Sequence, residues 1–395
     1  MNYLPHFDRR LGVLLLSQAL AGSTIPVLFI VSGILGPQIS PSLELSTLPV
    51  SLVVVGVALG SMLVGAGMSR LGRKRGHLLG LMVTIAGVAV SWRALSLPSF
   101  YLYNAGALLT GIGCAFNNQV RFTAADNAGA QKGLVHSWVL MFGLFAAILG
   151  PGIAEFGREV SSLGQYTGSL AILLGVLVAV AAVFLFLFPA DGRRVEVAAL
   201  GAGAKPGLRQ VLQDRKFWQA VLPGAASFVT MTLLMTATPI EMHHNHHFSH
   251  GDTTSTIRAH IVAMYFPSLF GGLLIAWLGL RRLISMSVLI FLTCIAIGFV
   301  SHSLHEFFWA LVLLGVGWNF LFLAGSTLIS QSFDGPERFT AQSANDTIVF
   351  SVQAMASLAA GWLIFAIGWK MLVLLPVPLL LVVLWVGWRQ KASLL

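Results

Sequence analysis

The chain is organised as twelve long apolar runs separated by short polar segments. The runs lie at 11–34, 46–68, 77–97, 101–122, 134–157, 165–189, 217–241, 255–279, 283–304, 307–330, 341–366 and 370–388. Each is close to the ~20 residues that an α-helix needs to cross a bilayer core. Helices are forced there, because lipid offers no partner to a backbone N–H or C=O. The pattern predicts an all-α membrane protein of twelve transmembrane helices, with the lipid bilayer as its outer solvent.

The longest polar stretch, 190–216, falls midway and is rich in Gly, Ala and charge. It divides the chain into a six-helix half at 1–189, a linker at 190–216 and a second half at 217–395. An internal repeat supports the division. Gly65 and Gly72 stand seven apart after the second run and precede the basic residues Arg73, Lys74 and Arg75. Gly272 and Gly279 stand seven apart after the eighth and precede Arg281 and Arg282. Gly111-Ile112-Gly113 in the fourth run is echoed by Gly315-Val316-Gly317 in the tenth. Paired halves imply a substrate path between them, near the middle of the membrane.

Composition agrees. Of 395 residues, 56% are hydrophobic and 9% charged, against roughly a quarter charged in a soluble domain. The net charge of +9 would suit nucleic acid, but its placement excludes that reading. Nineteen Lys and Arg fall in segments on one side of the membrane, and only Arg93, Arg158, Arg258 and Lys370 on the other. The positive-inside rule then puts both termini in the cytoplasm of a bacterial inner-membrane protein. Arg9-Arg10 followed by an apolar run and Ala19-Leu20-Ala21 imitates a secretory signal. The run continues to Leu35, too far for a signal core, and reads as the first span. Cys114 and Cys294 both lie in predicted spans, so a disulfide framework is not expected.

Ionisable and metal-ligating residues in a membrane are functional candidates. Glu155, Glu241 and Asp346 fall near span ends, so no mid-membrane carboxylate marks a proton relay. Met231 and Met235 are four apart in the seventh span, and His260 and Met264 are four apart in the eighth. An i, i+4 pair shares a helix face. At about 1.5 Å per residue, Met235 and His260 lie roughly 9 and 7 Å deep, and Met231 and Met264 roughly 15 and 13 Å. Packed as antiparallel neighbours, the two helices would level the four ligands. Thioether and imidazole suit Cu(I). His243, His244, His246, His247 and His250 crowd the following outer loop, a metal-capturing composition. Asn117, Asn118 and Gln119 place three amides in succession near Arg121, and they cannot all face one way. No Gly-x-x-x-x-Gly-Lys-Ser/Thr loop, catalytic triad or structural zinc spacing is present. The chain reads as no enzyme and as needing no cofactor.

Gly65-x-x-x-Ser69-Arg70-x-Gly72-Arg73-Lys74-Arg75 resembles the loop signature of the major facilitator superfamily. That signature usually carries Asp where Ser69 stands, so the resemblance implies altered gating through Arg70, Gly72, Arg73, Arg121 and Asp346. Gly150-Pro151-Gly152 resembles an element of facilitator antiporters but serves equally as a packing kink. Met235-Thr236-Ala237-Thr238-Pro239 and His260-Ile261-Val262-Ala263-Met264-Tyr265-Phe266-Pro267-Ser268 are similar to the CcoA-like copper importers (the CalT group). Ser46-Thr47-Leu48-Pro49, Arg121-Phe122-Thr123-Ala124-Ala125 and Asn345-Asp346 extend the likeness. It implies import of a copper ion, as substrate, for haem–copper oxidase assembly, with Met231, Met235, His260 and Met264 handling the metal. Two alternatives stand beside it. One is a transporter of an organic solute such as a flavin, using Trp318, Asn319, Phe320 and the fourth-span amides. The other is a non-transporting metal sensor or assembly partner. The sequence leaves the oligomeric state open and is compatible with a monomer.

Overall fold

The computed structural model describes residues 7–42, 45, 48–97, 99–158, 160, 166–189 and 207–388. The side chains of His243, His244 and His250 lie outside that description. So do Ser46, Thr47 and residues 190–206 of the expected linker.

Every described element is helical. Eight continuous stretches are long and apolar enough to cross a membrane. Leu48–Ser96 contains two crossings, because the chain turns back at Gly72. The packing shows the reversal. Gly56 and Gly60 sit against Leu108–Ala115, in the same direction as the fourth span, whereas Gly80, Gly87 and Ser91 meet Phe116, Thr110 and Gly106 in the opposite direction. Gly72 has φ 80° and ψ 173°, and Gly279 has φ 73° and ψ 163°. A Cβ is strained in that region, so glycine is required at both turns. A third turn of the same form falls at Gly368.

With Phe100–Asn117 as the fourth span and His250–Tyr265 running on into 268–278 as the eighth, the crossings number twelve, six in each half. They are 9–39, 48–71, 73–96, 100–125, 132–157, 167–187, 215–240, 250–278, 280–300, 304–332, 337–367 and 369–388. These match the apolar runs to within a few residues. Ala19 and Ala21, the mock cleavage site, are buried inside the first span.

Polar residues set the ends. Asp8 accepts from the Leu11 amide at 2.7 Å and caps the first span. Ser249 with Asp252 and Ser303 with Glu306 form capping boxes at the eighth and tenth. The seventh and tenth spans bury 78% and 72% of their apolar cores inside the protein, against 28% for the sixth. The first two therefore face the interior of the bundle, and the sixth faces lipid.

The repeat seen in the sequence is a repeat in space. Gly65 lies against Ser343 of the eleventh span, and Gly272 against Leu134 of the fifth. Gly111 and Gly113 admit the second and third spans, and Gly315 and Gly317 the eighth and ninth. Gly150 of the Gly-Pro element packs on Pro26 of the first span, a helix-contact role.

Candidate functional site

Two regions concentrate chemistry: an aromatic centre in the second half, and a polar seam between the halves at the basic end.

The centre is built on the tenth span. Trp318 stacks on Phe322, with ring centroids 5.2 Å apart. Phe228 of the seventh span meets both rings edge-on, at 5.3 and 5.1 Å, and also meets Phe350 of the eleventh. Tyr265 of the eighth span stands edge-on to Trp318 at 5.9 Å. Such pairs contribute about 0.5–1.5 kcal/mol each beyond area burial. Several buried polar atoms on the same helices have no protein partner: Trp318 Nε1, Asn319 Oδ1, Ser326 Oγ, Thr230 Oγ1 and His260 Nε2. Orphaned donors and acceptors cost free energy in a dry interior unless something pairs with them.

The expected ligands divide around the tenth span. His260 Nδ1 donates to the Leu311 carbonyl at 2.8 Å, and Asn319 Nδ2 donates to the Met264 carbonyl at 2.6 Å. Gly315 lets the eighth span approach closely, as a Cβ there would lie 2.7 Å from the His260 carbonyl. On the other flank, Gly224 meets Gly325 and Phe228 meets Phe322. Counting on in antiparallel register puts Met231 level with Trp318 and Met235 level with Leu314. The four residues thus fall within about one helical turn in depth. The seventh and eighth spans, however, each pack on the tenth, which stands between them. Met231, His260 and Met264 are buried, and Met235 is half-buried.

In the loop after the seventh span, His246 stacks on Phe248 at 5.6 Å, meets Phe307 edge-on and lies 3.5 Å from Glu241. Asn245 donates to the same carboxylate. His247 takes φ 55°. Among the described residues no group of three or more His, Cys, Asp or Glu is placed to hold a metal ion. Cys114 and Cys294 are buried free thiols.

Of the expected gating residues, the seam brings together Arg73, Gln119, Arg121 and Asp346. Gln119 donates to Asp346 at 2.7 Å, and Arg121 pairs with the same carboxylate from across the interface. Asn345 donates to it at 2.9 Å. Arg73 pairs with Asp126 at 2.9 Å, donates to Gln342 of the other half at 2.7 Å and stacks over Phe339. Lys132 reaches the Ser330 carbonyl, and His136 lies 3.3 Å from both Thr327 and Ser330. Of the three amides, Gln119 joins the seam, Asn117 accepts from Ser17 of the first span, and Asn118 gives its carbonyl to Arg121. Arg70 is exposed. Where Ser69 lacks the usual carboxylate, Asp126 and Asp346 anchor the arginines instead. Asp126, Gln342, Lys132 and His136 were not singled out from the sequence. Asp126 alone left a trace, as an acid one residue beyond Arg121-Phe122-Thr123-Ala124-Ala125. Arg121 also lies over Phe322, 5.0 Å from its ring, so the aromatic centre touches the seam.

The sequence profile of the Major Facilitator Superfamily matches residues 11–258 and 224–393. The riboflavin transporter RfnT of Brucella anthropi is 32% identical over 378 residues, covering 95% of this chain and 94% of the relative. YddS of Bacillus subtilis, an uncharacterised MFS-type transporter, is 28% identical, with 96% and 91% covered. Among solved structures, the transporter FucP in its outward conformation superposes with a TM-score of 0.74 at 17% identity, covering 97% of this chain and 98% of its own. A bacterial homologue of the iron transporter ferroportin, outward-facing, gives 0.75 at 14%, with 97% and 99% covered.

Proposed function

Because the chain belongs to the Major Facilitator Superfamily, we propose that it is a secondary transporter for a small, flat organic solute of the flavin type. It carries this cargo by alternating access between its six-helix halves, with both termini in the cytoplasm of a bacterial inner membrane. The carrying observation is the aromatic centre of Phe228, Trp318, Phe322, Phe350 and Tyr265, set among unpaired buried donors and acceptors. Aromatic faces stack on a planar ring system, while Trp318 Nε1, Asn319 Oδ1 and Thr230 Oγ1 suit its polar edge. The riboflavin transporter among the relatives supports the same cargo class. The seam closes the basic end, so the described state is read as outward-facing.

Copper remains as a second reading on one specific observation. Leu311 fixes the His260 proton on Nδ1, which leaves the Nε2 lone pair buried and without a partner. A histidine ligand to a metal is commonly oriented in this way. Met231, Met235 and Met264 would supply the thioethers. Copper stands second because the riboflavin transporter among the relatives favours the organic cargo.

The test uses a bacterial strain that neither makes nor imports riboflavin. Expression of this chain should restore growth and accumulation of labelled riboflavin. Accumulation of copper, with no flavin uptake from protein present in the membrane, would reverse the order of the two readings.

A further inference from the structure

The gate contains two serine contacts related by the internal repeat. In the eighth span, Ser268-Leu269-Phe270-Gly271-Gly272 places a carbonyl and an amide one helical turn apart. Ser137 of the fifth span, from the other half, bonds both groups. Its hydroxyl donates to the Ser268 carbonyl and accepts from the Gly272 amide at 2.9 Å. In the second span, Ser61-Met62-Leu63-Val64-Gly65 is the equivalent stretch, since Gly65 and Gly272 hold the same place in the repeat. Ser343 of the eleventh span donates to the Ser61 carbonyl at 2.6 Å, and its Oγ lies 2.9 Å from where a Gly65 Cβ would sit. Both serines are buried, and both depend on a glycine that lets the opposing helix approach.

We propose that Ser137 and Ser343 are paired clasps that hold the basic face closed. Each grips a backbone carbonyl of the opposing helix, and Ser137 takes the amide one turn on as well. Ser268 and Gly272 lie in a helix that begins at Ser268, so its own i, i+4 bond joins that carbonyl and amide, and neither is orphaned when the halves separate. The withdrawn Ser137 hydroxyl can return to the carbonyl four residues before it, that of Gly133. In the second span Ser343 takes the Ser61 carbonyl alone, and that carbonyl lies within a continuous helix when Ser343 withdraws. No polar group is left orphaned in a dry interior, where that would be costly. The buried ion pair of Arg121 and Asp346 has no such exchange and needs water when it opens. The clasps therefore set the closed-to-open balance without raising a large barrier.

This inference rests on the alternating-access reading and is independent of the cargo. The test is double electron–electron resonance on full-length protein in lipid nanodiscs, with spin labels at Arg75→Cys and Glu337→Cys. Both positions are exposed at the basic end, one in each half. Ser137→Ala and Ser343→Ala should each raise the open-to-closed ratio by about three- to tenfold, the range for one net hydrogen bond. Their effects should multiply in the double variant, as for separate sites. Amide exchange of a 268–275 peptide should stay slow in Ser137→Ala, because the helix's own bond remains. Asp346→Asn serves as the positive control for opening. If Asp346→Asn opens the face while both serine variants overlay the parent, the clasps are refuted. Fast exchange at 268–275 in Ser137→Ala would show that this helix step depends on Ser137 and would refute the clasp as an added contact. A basic face that opens under no variant or condition would refute alternating access itself.

Discussion

Arg121 of the fourth span and Asp346 of the eleventh form an ion pair across the two halves, with side chains only 6% and 1% exposed. The nearest run of sequence joining them is more than two hundred residues long, so only folding brings them together. Gln119 and Asn345 complete the carboxylate's hydrogen bonds. The carboxylate is thus satisfied in the closed state, and removing one partner of the pair strands the other.

Asp346→Asn or Arg121→Met should each cost about 3–5 kcal/mol of closed-state stability, because one uncompensated charge stays buried. Arg121→Met combined with Asp346→Leu should recover part of that loss. Thermal unfolding in detergent and cargo uptake measure the two consequences. A double variant no more stable than either single one would show that the pair does not act as a unit.

Trp318→Leu should weaken flavin uptake by about tenfold or more in apparent affinity, through loss of stacking and of the indole donor. Trp318→Phe keeps a ring and loses only the N–H, so it should fall between Leu and the parent. Uptake is read against cargo concentration and normalised to protein in the membrane. Parent-like affinity in Trp318→Leu would move the cargo site away from the aromatic centre.

The copper reading makes its own prediction. Met231→Leu, Met235→Leu and Met264→Leu conserve volume, so folding should change by less than about 1.5 kcal/mol. If copper is cargo, each lowers copper accumulation, and His260→Leu does so at least as strongly. Met242→Leu, on the margin of the histidine loop, is the control. Four variants that accumulate copper like the parent would remove the metal site and leave the organic cargo alone.

Orientation is checked with reporters. A fusion near Lys205 should report cytoplasm, and one within 243–252 should report the outer side, as the placement of basic residues predicts. Opposite signals would turn the closed end outward.

Gly72→Ala and Gly279→Ala should each destabilise the fold by about 1–3 kcal/mol, since both glycines turn the chain at positive φ. Gly152→Ala, where an added Cβ meets nothing within 4 Å, should be nearly silent. Melting temperatures of the purified proteins would show whether the two turns carry that strain.

The sequence by itself determined the number and course of the helices. Lipid solvation leaves a twenty-residue apolar run one stable solution, so Leu48–Ser96 could be read as two crossings before any packing was known. The repeat was legible as well: Gly72 and Gly279 answer a local demand of backbone geometry, whereas Gly65 and Gly272 admit helices that only packing identifies. Arg73, Arg121, Gln119 and Asp346 were legible as candidates, since charge near a membrane calls for a reason. Tertiary structure alone decided what they pair with. Gln342 carries no local signature, Asp126 has only its place beside the Arg121 stretch, and an ion pair spanning the halves depends on distances that no spacing along the chain encodes. The same holds for Met231, Met235, His260 and Met264. Periodicity set their shared faces and comparable depths, but only helix packing placed the tenth span between the two pairs. It placed Trp318 and Phe322 there as well, because which face of a helix turns inward is settled by its neighbours rather than by its own residues.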